Sequence, residues 1–209
     1  MQLLNKHFTA LLKFGPAIAT GLLLAGCATV PPPQNTSDIC DIYQQYPKWY
    51  AKSLEIQDKW GLKPNVMMAI IYQESSFRGN AAPPRKKLLW LIPWRRPTSA
   101  YGYSQAVNGT WKDYEADTGK GSASRSAFDD AADFIGWFTT KAHQKLGIPM
   151  NDAYHQYLAY HEGFGGYMRH SYTHQQWLLN VAHKVEKRSQ IYAVQLQDCH
   201  ADLDNMIDR

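Results

Sequence analysis

The sequence predicts a mainly α-helical, single-domain protein, and three observations carry that reading. Apolar residues recur at steps of three and four, as in Phe128, Ala131, Ala132, Ile135, Phe138 and Ala142, the period of a helix with one face in a core. Gly61, Gly119 and Gly147 each close such a stretch, where helix ends favour left-handed backbone. Outside one basic insert, residues 83–97, no segment alternates apolar and polar positions as a strand would, and no internal repeat or second domain is evident. The chain of 209 residues is long enough to bury a sizeable core, and 44% hydrophobic with 19% charged residues places it among globular rather than disordered chains.

Residues 1–26 read as a targeting segment outside the fold. Lys6 and Lys13 supply positive charge, and the apolar run Phe14 to Ala25 is too short to span a bilayer. The run ends in Leu24-Ala25-Gly26-Cys27, which resembles a bacterial lipobox, whose cysteine becomes the lipidated first residue of the mature chain. Ala28 follows; no Asp stands there to retain the protein at the inner membrane, so the expected location is the outer membrane, facing the periplasm. Residues 27–37, with three consecutive prolines, are expected to be an extended flexible tether, and residues 38–209 the folded domain. Loss of the leader removes Lys6 and Lys13 and no acid, leaving 20 basic against 18 acidic residues and a net charge of +2. Such a balance provides no basic field for nucleic acid.

The domain is expected to start with a short helix over Asp38 to Tyr46, interrupted by Pro47. A second helix runs from Lys48 to Trp60. A third starts at Pro64-Asn65, with Asn65 as its cap, and carries Val66 to Phe77. Trp111 to Thr118 continues helically. Ser126 is placed to cap a helix from Ala127 to Leu146, with Asp129 and Asp130 in the first turn, where negative charge is favoured. Asn151 or Asp152 starts the next helix, which ends in EGFGGY, and Trp177 to Leu196 forms the last. In the insert, Arg85, Lys86, Lys87, Arg95 and Arg96 bracket a cluster of Leu, Ile and Trp that includes Trp90 and Trp94. Its prolines oppose a continuous helix. The segment is either a loop or hairpin packed on the domain or a surface that touches anionic lipid or cell wall.

Val66 to Ile71 leaves no polar face over six positions, so the third helix belongs in the middle of the domain. It ends in Glu74, followed by Ser75 and Ser76. A carboxyl carried inside resists ionisation, and a Glu that holds its proton near neutrality is what a general acid requires. Read alone, this stretch leaves open a surface Glu at a frayed helix end.

Three separated pieces narrow the choice: Glu74-Ser75, then Tyr101-Gly102-Tyr103-Ser104-Gln105, then Ala159-Tyr160-His161-Glu162-Gly163. In that order they resemble the soluble-type (SLT) lytic transglycosylases of the lysozyme-like superfamily, over roughly residues 48–191. The resemblance implies a lysozyme-like fold, related to goose-type lysozyme, and cleavage of peptidoglycan between N-acetylmuramic acid and N-acetylglucosamine. Relatives use one Glu as acid and base and leave a 1,6-anhydro ring on the muramic acid. Glu74 takes the catalytic place. Ser75, Gly102, Tyr103, Ser104, Gln105, Tyr160 and Glu162 are the implied substrate-binding positions, with Ser75 hydrogen-bonding near the carboxylate and Tyr160 orienting Glu74 or the sugar. Four positions depart from the family pattern: Tyr103 and Ser104 replace Leu and Met, and His161 and Glu162 replace Asn and Ala. Glu162 is either a second carboxylate, which would permit lysozyme-like hydrolysis, or a solvated group paired with a cation such as Arg169. A non-catalytic peptidoglycan-binding lipoprotein is a further alternative. The implied partners are peptidoglycan strands and, through the lipid anchor, the outer membrane.

Cys40 and Cys199 remain after Cys27. They form one even pair in an exported domain and are expected to bridge, two buried thiols being the alternative. No cofactor and no metal is expected: His170 and His174 form a lone pair without further ligands, and FGGY lacks the lysine and spacing of a phosphate loop.

Overall fold

A computed structural model describes residues 30–85, 87, 88, 92, 93 and 96–207, with residues 87, 88, 92 and 93 described as backbone alone. Among these residues the chain forms seven α-helices and one two-stranded antiparallel ribbon. The order is α1 (Ile39–Gln45), α2 (Pro47–Trp60), α3 (Pro64–Ser75), β1 (Lys87–Leu88), β2 (Ile92–Pro93), α4 (Asn108–Thr118), α5 (Phe128–Leu146), α6 (Ala153–Met168), a 3-10 turn (Ser171–His174) and α7 (Gln176–Ile207). The mainly helical single domain read from the sequence is the one observed.

Helix α3 is the axis of the packing. Val66, Met67, Met68, Ala69, Ile70 and Ile71 are all buried, and α2, α5, α6 and α7 each pack against this helix. Helix α7 also covers α1, α2 and α6, so the C-terminal helix closes a core begun by the N-terminal ones. The Cys40–Cys199 disulfide ties α1 to α7. Closing so long a loop restricts the unfolded chain and contributes about 2–5 kcal/mol.

A second anchor lies between α2, α4 and α5. Asp133 on α5 is buried; its Oδ1 accepts from Lys59 Nζ and Trp60 Nε1 (both 2.9 Å), and its Oδ2 accepts from the Tyr114 hydroxyl (2.7 Å) and Lys120 Nζ (2.8 Å). Burial alone would raise this carboxyl, but the Lys120, Lys59, Trp60 and Tyr114 hydrogen bonds hold it well below the ordinary range.

Several local expectations are corrected. Pro47 starts α2 at its first position rather than only interrupting a helix, where its missing N–H is no loss. Asn65 does not cap α3: Lys63 is the N-cap residue, without a side-chain bond, and Asn65 Nδ2 donates to the Ser189 carbonyl (3.1 Å) and hydroxyl (2.9 Å) on α7. Ser126 does not cap α5 either, since the cap position is Ala127 and the Ser126 hydroxyl shares a hydrogen bond with Ser124. Asp152 does cap α6, accepting from the His155 N–H (3.0 Å). Helix α6 runs on through EGFGGY with a break at Gly163 (φ 70°, ψ 165°), and α7 extends well past Leu196.

The stretch read as a flexible tether is docked from Pro31 onward. The Pro31 carbonyl accepts from the Tyr46 hydroxyl (2.8 Å), and the Thr36 carbonyl accepts from both Tyr192 Oη (2.5 Å) and Arg188 Nη1 (3.0 Å). The insert forms the antiparallel ribbon, with Lys87 opposite Pro93 and Leu88 opposite Ile92. The packing or exposure of its side chains from 86 to 95, Trp90 and Trp94 included, lies outside the described residues, as does Cys27. Among the described residues no helix is long and apolar enough to cross a membrane.

Candidate active site

Glu74 sits in the last turn of α3, where the chain reverses sharply. Ser76 and Phe77 both adopt left-handed backbone (φ 50° and 59°), a conformation non-glycine residues take only when their surroundings impose it. Phe77 is fully buried beside Trp49 and Tyr72, and this anchor holds the reversal. The helix therefore stops one residue after Glu74 and leaves its carboxylate at the floor of a cleft instead of inside the core.

That cleft has a volume of about 580 Å³ and is lined by Glu74, Thr98, Ala100, Gln105, Ala106, Val107, Thr110, Phe134, Phe138, Tyr160, His161, Glu162 and Gly163. Its size is that of a small-molecule site. Burial pushes Glu74 up from the ordinary 4.5 to about 7, while the neighbouring Tyr157 hydroxyl acts to pull it partway down. The charge of Glu162 is not among the causes. Near neutral pH Glu74 is thus divided between acid and carboxylate, the condition for giving a proton in one step and taking one in the next.

The second sequence motif is a clamped turn. Tyr101 and Ala106 pair as an isolated antiparallel bridge, the Gly102 N–H donates to the Ala81 carbonyl (2.8 Å), and the Tyr103 N–H donates to the Arg125 carbonyl (3.1 Å). Gly102 has φ 78°, and a Cβ there would lie 1.9 Å from the Arg125 carbonyl oxygen, so no other residue fits without moving the turn. Gln105, also left-handed (φ 50°), reaches the cleft. Its Nε2 donates to the carbonyls of Ala81 and Gly102 (both 2.8 Å), which fixes the amide and leaves its oxygen for a ligand.

Not every implied position faces the sugar. Tyr103 is buried edge-on to Trp49 and Phe128 (5.7 Å each), so it belongs to the core and not to the substrate surface. Ser75 is likewise buried, and its hydroxyl donates to the Ile71 carbonyl of its own helix (3.1 Å) instead of serving the carboxylate. Ser104 is fully buried, and what it offers is its carbonyl, which accepts from the Tyr160 hydroxyl at 2.6 Å. Tyr160 therefore braces the clamped turn against α6 rather than holding Glu74 directly. The hydroxyl that serves Glu74 is Tyr157, one turn earlier on the same helix, at a position the sequence reading did not single out. Spacing was its only signal, because residues three apart share a helix face. Phe138, read as a core residue of α5, and Phe134 one turn earlier form the apolar wall of the cleft, and Tyr160 lies edge-on to Phe138 (4.9 Å).

Glu162 lines the same cleft. It does not pair with Arg169. Its Oε1 accepts from His161 Nδ1 (3.1 Å), and its Oε2 accepts from Gln175 Nε2 (3.1 Å) and from the Ser171 hydroxyl. Burial acts to raise this carboxyl, but the Ser171, His161 and Gln175 bonds outweigh it and hold it below the ordinary range. Glu74 and Glu162 thus occupy one cavity with opposite tendencies, one kept partly protonated and the other kept ionised. Among the described residues no cluster of His, Cys, Asp or Glu could hold a metal ion.

A family model described as a transglycosylase SLT domain matches residues 16–199. No curated protein and no solved structure matches the chain.

Proposed function

The chain belongs to the family of transglycosylase SLT domains, a membership that supports peptidoglycan-degrading activity, and from that premise we propose that Glu74 cleaves glycan strands without water. The observation that carries this reading is the Glu74 carboxyl at the floor of the cleft, pushed up to about 7 by burial. In its acid form Glu74 donates its proton to the glycosidic oxygen between N-acetylmuramic acid and N-acetylglucosamine. The C1–O bond breaks and the leaving sugar departs with that proton. The carboxylate left behind then takes the proton of the muramic acid 6-hydroxyl, and O6 bonds to C1 to close the 1,6-anhydro ring. Glu74 ends protonated, as it began, and no water is consumed. Gln105 and the phenylalanine wall line the sugar site, while Tyr157 tunes the acid.

Digestion of purified sacculi tests this by product mass. Anhydro-muropeptides, each one water lighter than the reducing-end form, are the expected product. Glu74→Gln is expected to lose activity by about three orders of magnitude. A Glu74→Gln protein as active as wild type overturns the mechanism.

A second reading is favoured by one observation: Glu162 is an ionised carboxylate in the same cleft. As a general base it would activate water and give reducing ends by hydrolysis. Reducing-end products that vanish in Glu162→Gln would establish that route. The three hydrogen bonds already on Glu162 favour instead a bracing role, two of them tying α6 to the 3-10 turn and Gln175 that precede α7.

For location, we propose that Cys27 is lipidated and that the domain is an outer-membrane lipoprotein on the periplasmic side. The tetrad Leu24 to Cys27 supports this. Labelling with a fatty-acid analogue is expected for wild type and absent for Cys27→Ser; labelling of both proteins overturns it.

A further inference from the structure

A second groove of about 480 Å³ lies between α3 and α7, with Tyr72 and Gln73 of α3 and Lys184, Lys187, Arg188 and Tyr192 of α7 among its lining residues. Among the described residues three cations from α7 line it and no carboxylate does. Among the described residues neither Lys184, Lys187 nor Arg188 lies within ion-pair distance of an Asp or Glu. Asp38, the carboxylate whose field reaches Tyr192, is engaged in capping α1 through the Cys40 N–H (2.8 Å).

Arg188 is the organised part of this groove. Its guanidinium lies over the Tyr72 ring at 3.5 Å, a stacked cation–π arrangement that holds the plane. Both N–H groups of Nη1 are used, donating to the Thr36 carbonyl (3.0 Å) and the Tyr192 hydroxyl (3.1 Å). What remains among the described residues is the Nε–Nη2 edge, the fork that binds a carboxylate through two parallel hydrogen bonds. A half-buried guanidinium, fixed in orientation and without a counter-charge among the described residues, is a preformed anion receptor. Tyr72, Val185 and Ile191 add apolar walls and Gln73 an amide, so the groove suits an acidic peptide: a carboxylate on Arg188, aliphatic side chains on the walls, further negative charge on Lys184 and Lys187.

We propose that this α3–α7 groove binds the carboxylate-bearing peptide arms of the cell-wall glycan, as a second site separate from the cleft. Helix α3 then carries sugar recognition at Glu74 and peptide recognition at the adjacent Tyr72 and Gln73. The identity of the occupant rests on the peptidoglycan reading above; the anion receptor itself does not.

The test is calorimetric titration of the folded protein with the soluble tripeptide L-Ala-γ-D-Glu-meso-diaminopimelate, beside inorganic phosphate and vesicles of anionic phospholipid. Wild type and Glu74→Gln are expected to bind the tripeptide equally. Arg188→Lys keeps the charge but loses the fork, and should weaken binding by about tenfold. The double variant K184E/K187E, altered only at exposed side chains, should weaken it by several-fold without touching the Arg188 contacts. Absence of tripeptide binding to wild type, or unchanged binding in both variants, overturns the proposal. Phosphate that competes with the tripeptide at equal affinity overturns the peptide assignment, and so does vesicle binding lost in Arg188→Lys while the tripeptide does not bind. Cleavage of peptide-stripped glycan strands is assayed in parallel. Strands cut by wild type while the tripeptide fails to bind sink this inference and spare the catalytic reading; strands and sacculi left uncut sink the catalytic reading instead.

Discussion

Replacing Glu74 by Gln should make the protein more stable above neutral pH and leave it unchanged in acid. Burial pushes the Glu74 carboxyl up to about 7, whereas the same group in an unfolded chain titrates at 4.5. Below the unfolded value both states carry the proton and the carboxyl is harmless. As pH rises from 4.5 toward 7 the unfolded chain releases its proton and the folded one keeps it, so stability falls. Above 7 both states are ionised and the full penalty stands. A gap of that size corresponds to about 3 kcal/mol at 1.4 kcal/mol per unit, an upper figure because the cleft gives the carboxylate some water. Gln has the same shape and no charge, so it retains at high pH the stability the wild type has only in acid. Equilibrium urea unfolding of both proteins at about pH 4, 6 and 8 measures the gap, with the midpoints diverging as pH rises. A constant difference across that range would mean that Glu74 sits in a water-like environment, and the argument for a proton-holding acid would fail with it. The variant that loses activity should thus be the one that gains stability, as expected where a functional group is held against its solvation preference.

Four further outcomes follow from named contacts. Tyr157→Phe removes the hydroxyl that pulls Glu74 down, so the alkaline limb of kcat/KM should move to higher pH by on the order of one unit; an unmoved limb would show that Tyr157 does not serve the carboxylate. Gly102→Ala places a Cβ 1.9 Å from the Arg125 carbonyl at φ 78°, and should lower stability by about 2–4 kcal/mol in urea unfolding; a wild-type midpoint would refute the clamped turn. Asp133→Ala leaves the Tyr114 hydroxyl and the Trp60 Nε1–H without their acceptor and should cost about 3 kcal/mol at neutral pH. Because the folded pKa of Asp133 is depressed, its contribution is present above the ordinary carboxylate range and is lost as pH falls, so the gap between variant and wild type should narrow below about pH 4. Reduction of the Cys40–Cys199 bridge should lower unfolding stability by about 2–5 kcal/mol, and unchanged midpoints with and without reductant would leave the bridge no role in holding α1 to α7.

Helix positions were legible because their signals are local: a three-to-four residue apolar period, a proline at the first turn, a glycine at the end. The missed features belong to residues whose local preference yields to a distant partner. Asn65 has the chemistry of a cap, but its amide is taken by Ser189 on α7. Residues 31–37 have the composition of a free tether, yet the Thr36 carbonyl is held by Arg188 and Tyr192, far along the chain. Glu74 stood out because six buried apolar positions lead up to it. Tyr157 did not, because nothing near it in sequence reveals that its hydroxyl meets α3.

The four departures from the family pattern divide by the direction their side chains take. Tyr103 and Ser104 lie in the clamped turn, but both side chains are buried, Tyr103 against Trp49 and Phe128. Their replacement repacks the core under the turn, while Gly102 and Gln105, the two positions that fix its backbone and reach the cleft, are kept. His161 and Glu162 differ in this respect, since both line the cleft and bond to each other. With Nδ1 of His161 committed to Glu162, the other ring nitrogen is left for a ligand, and Glu162 in turn is fastened to Ser171 and Gln175 just before the last helix. The break at Gly163 lets α6 end one arm at these two residues and resume beyond them, so the third motif joins the cleft to the α6–α7 corner. Any difference in chemistry between this chain and its family then lies in the pair His161–Glu162, not in the altered second motif.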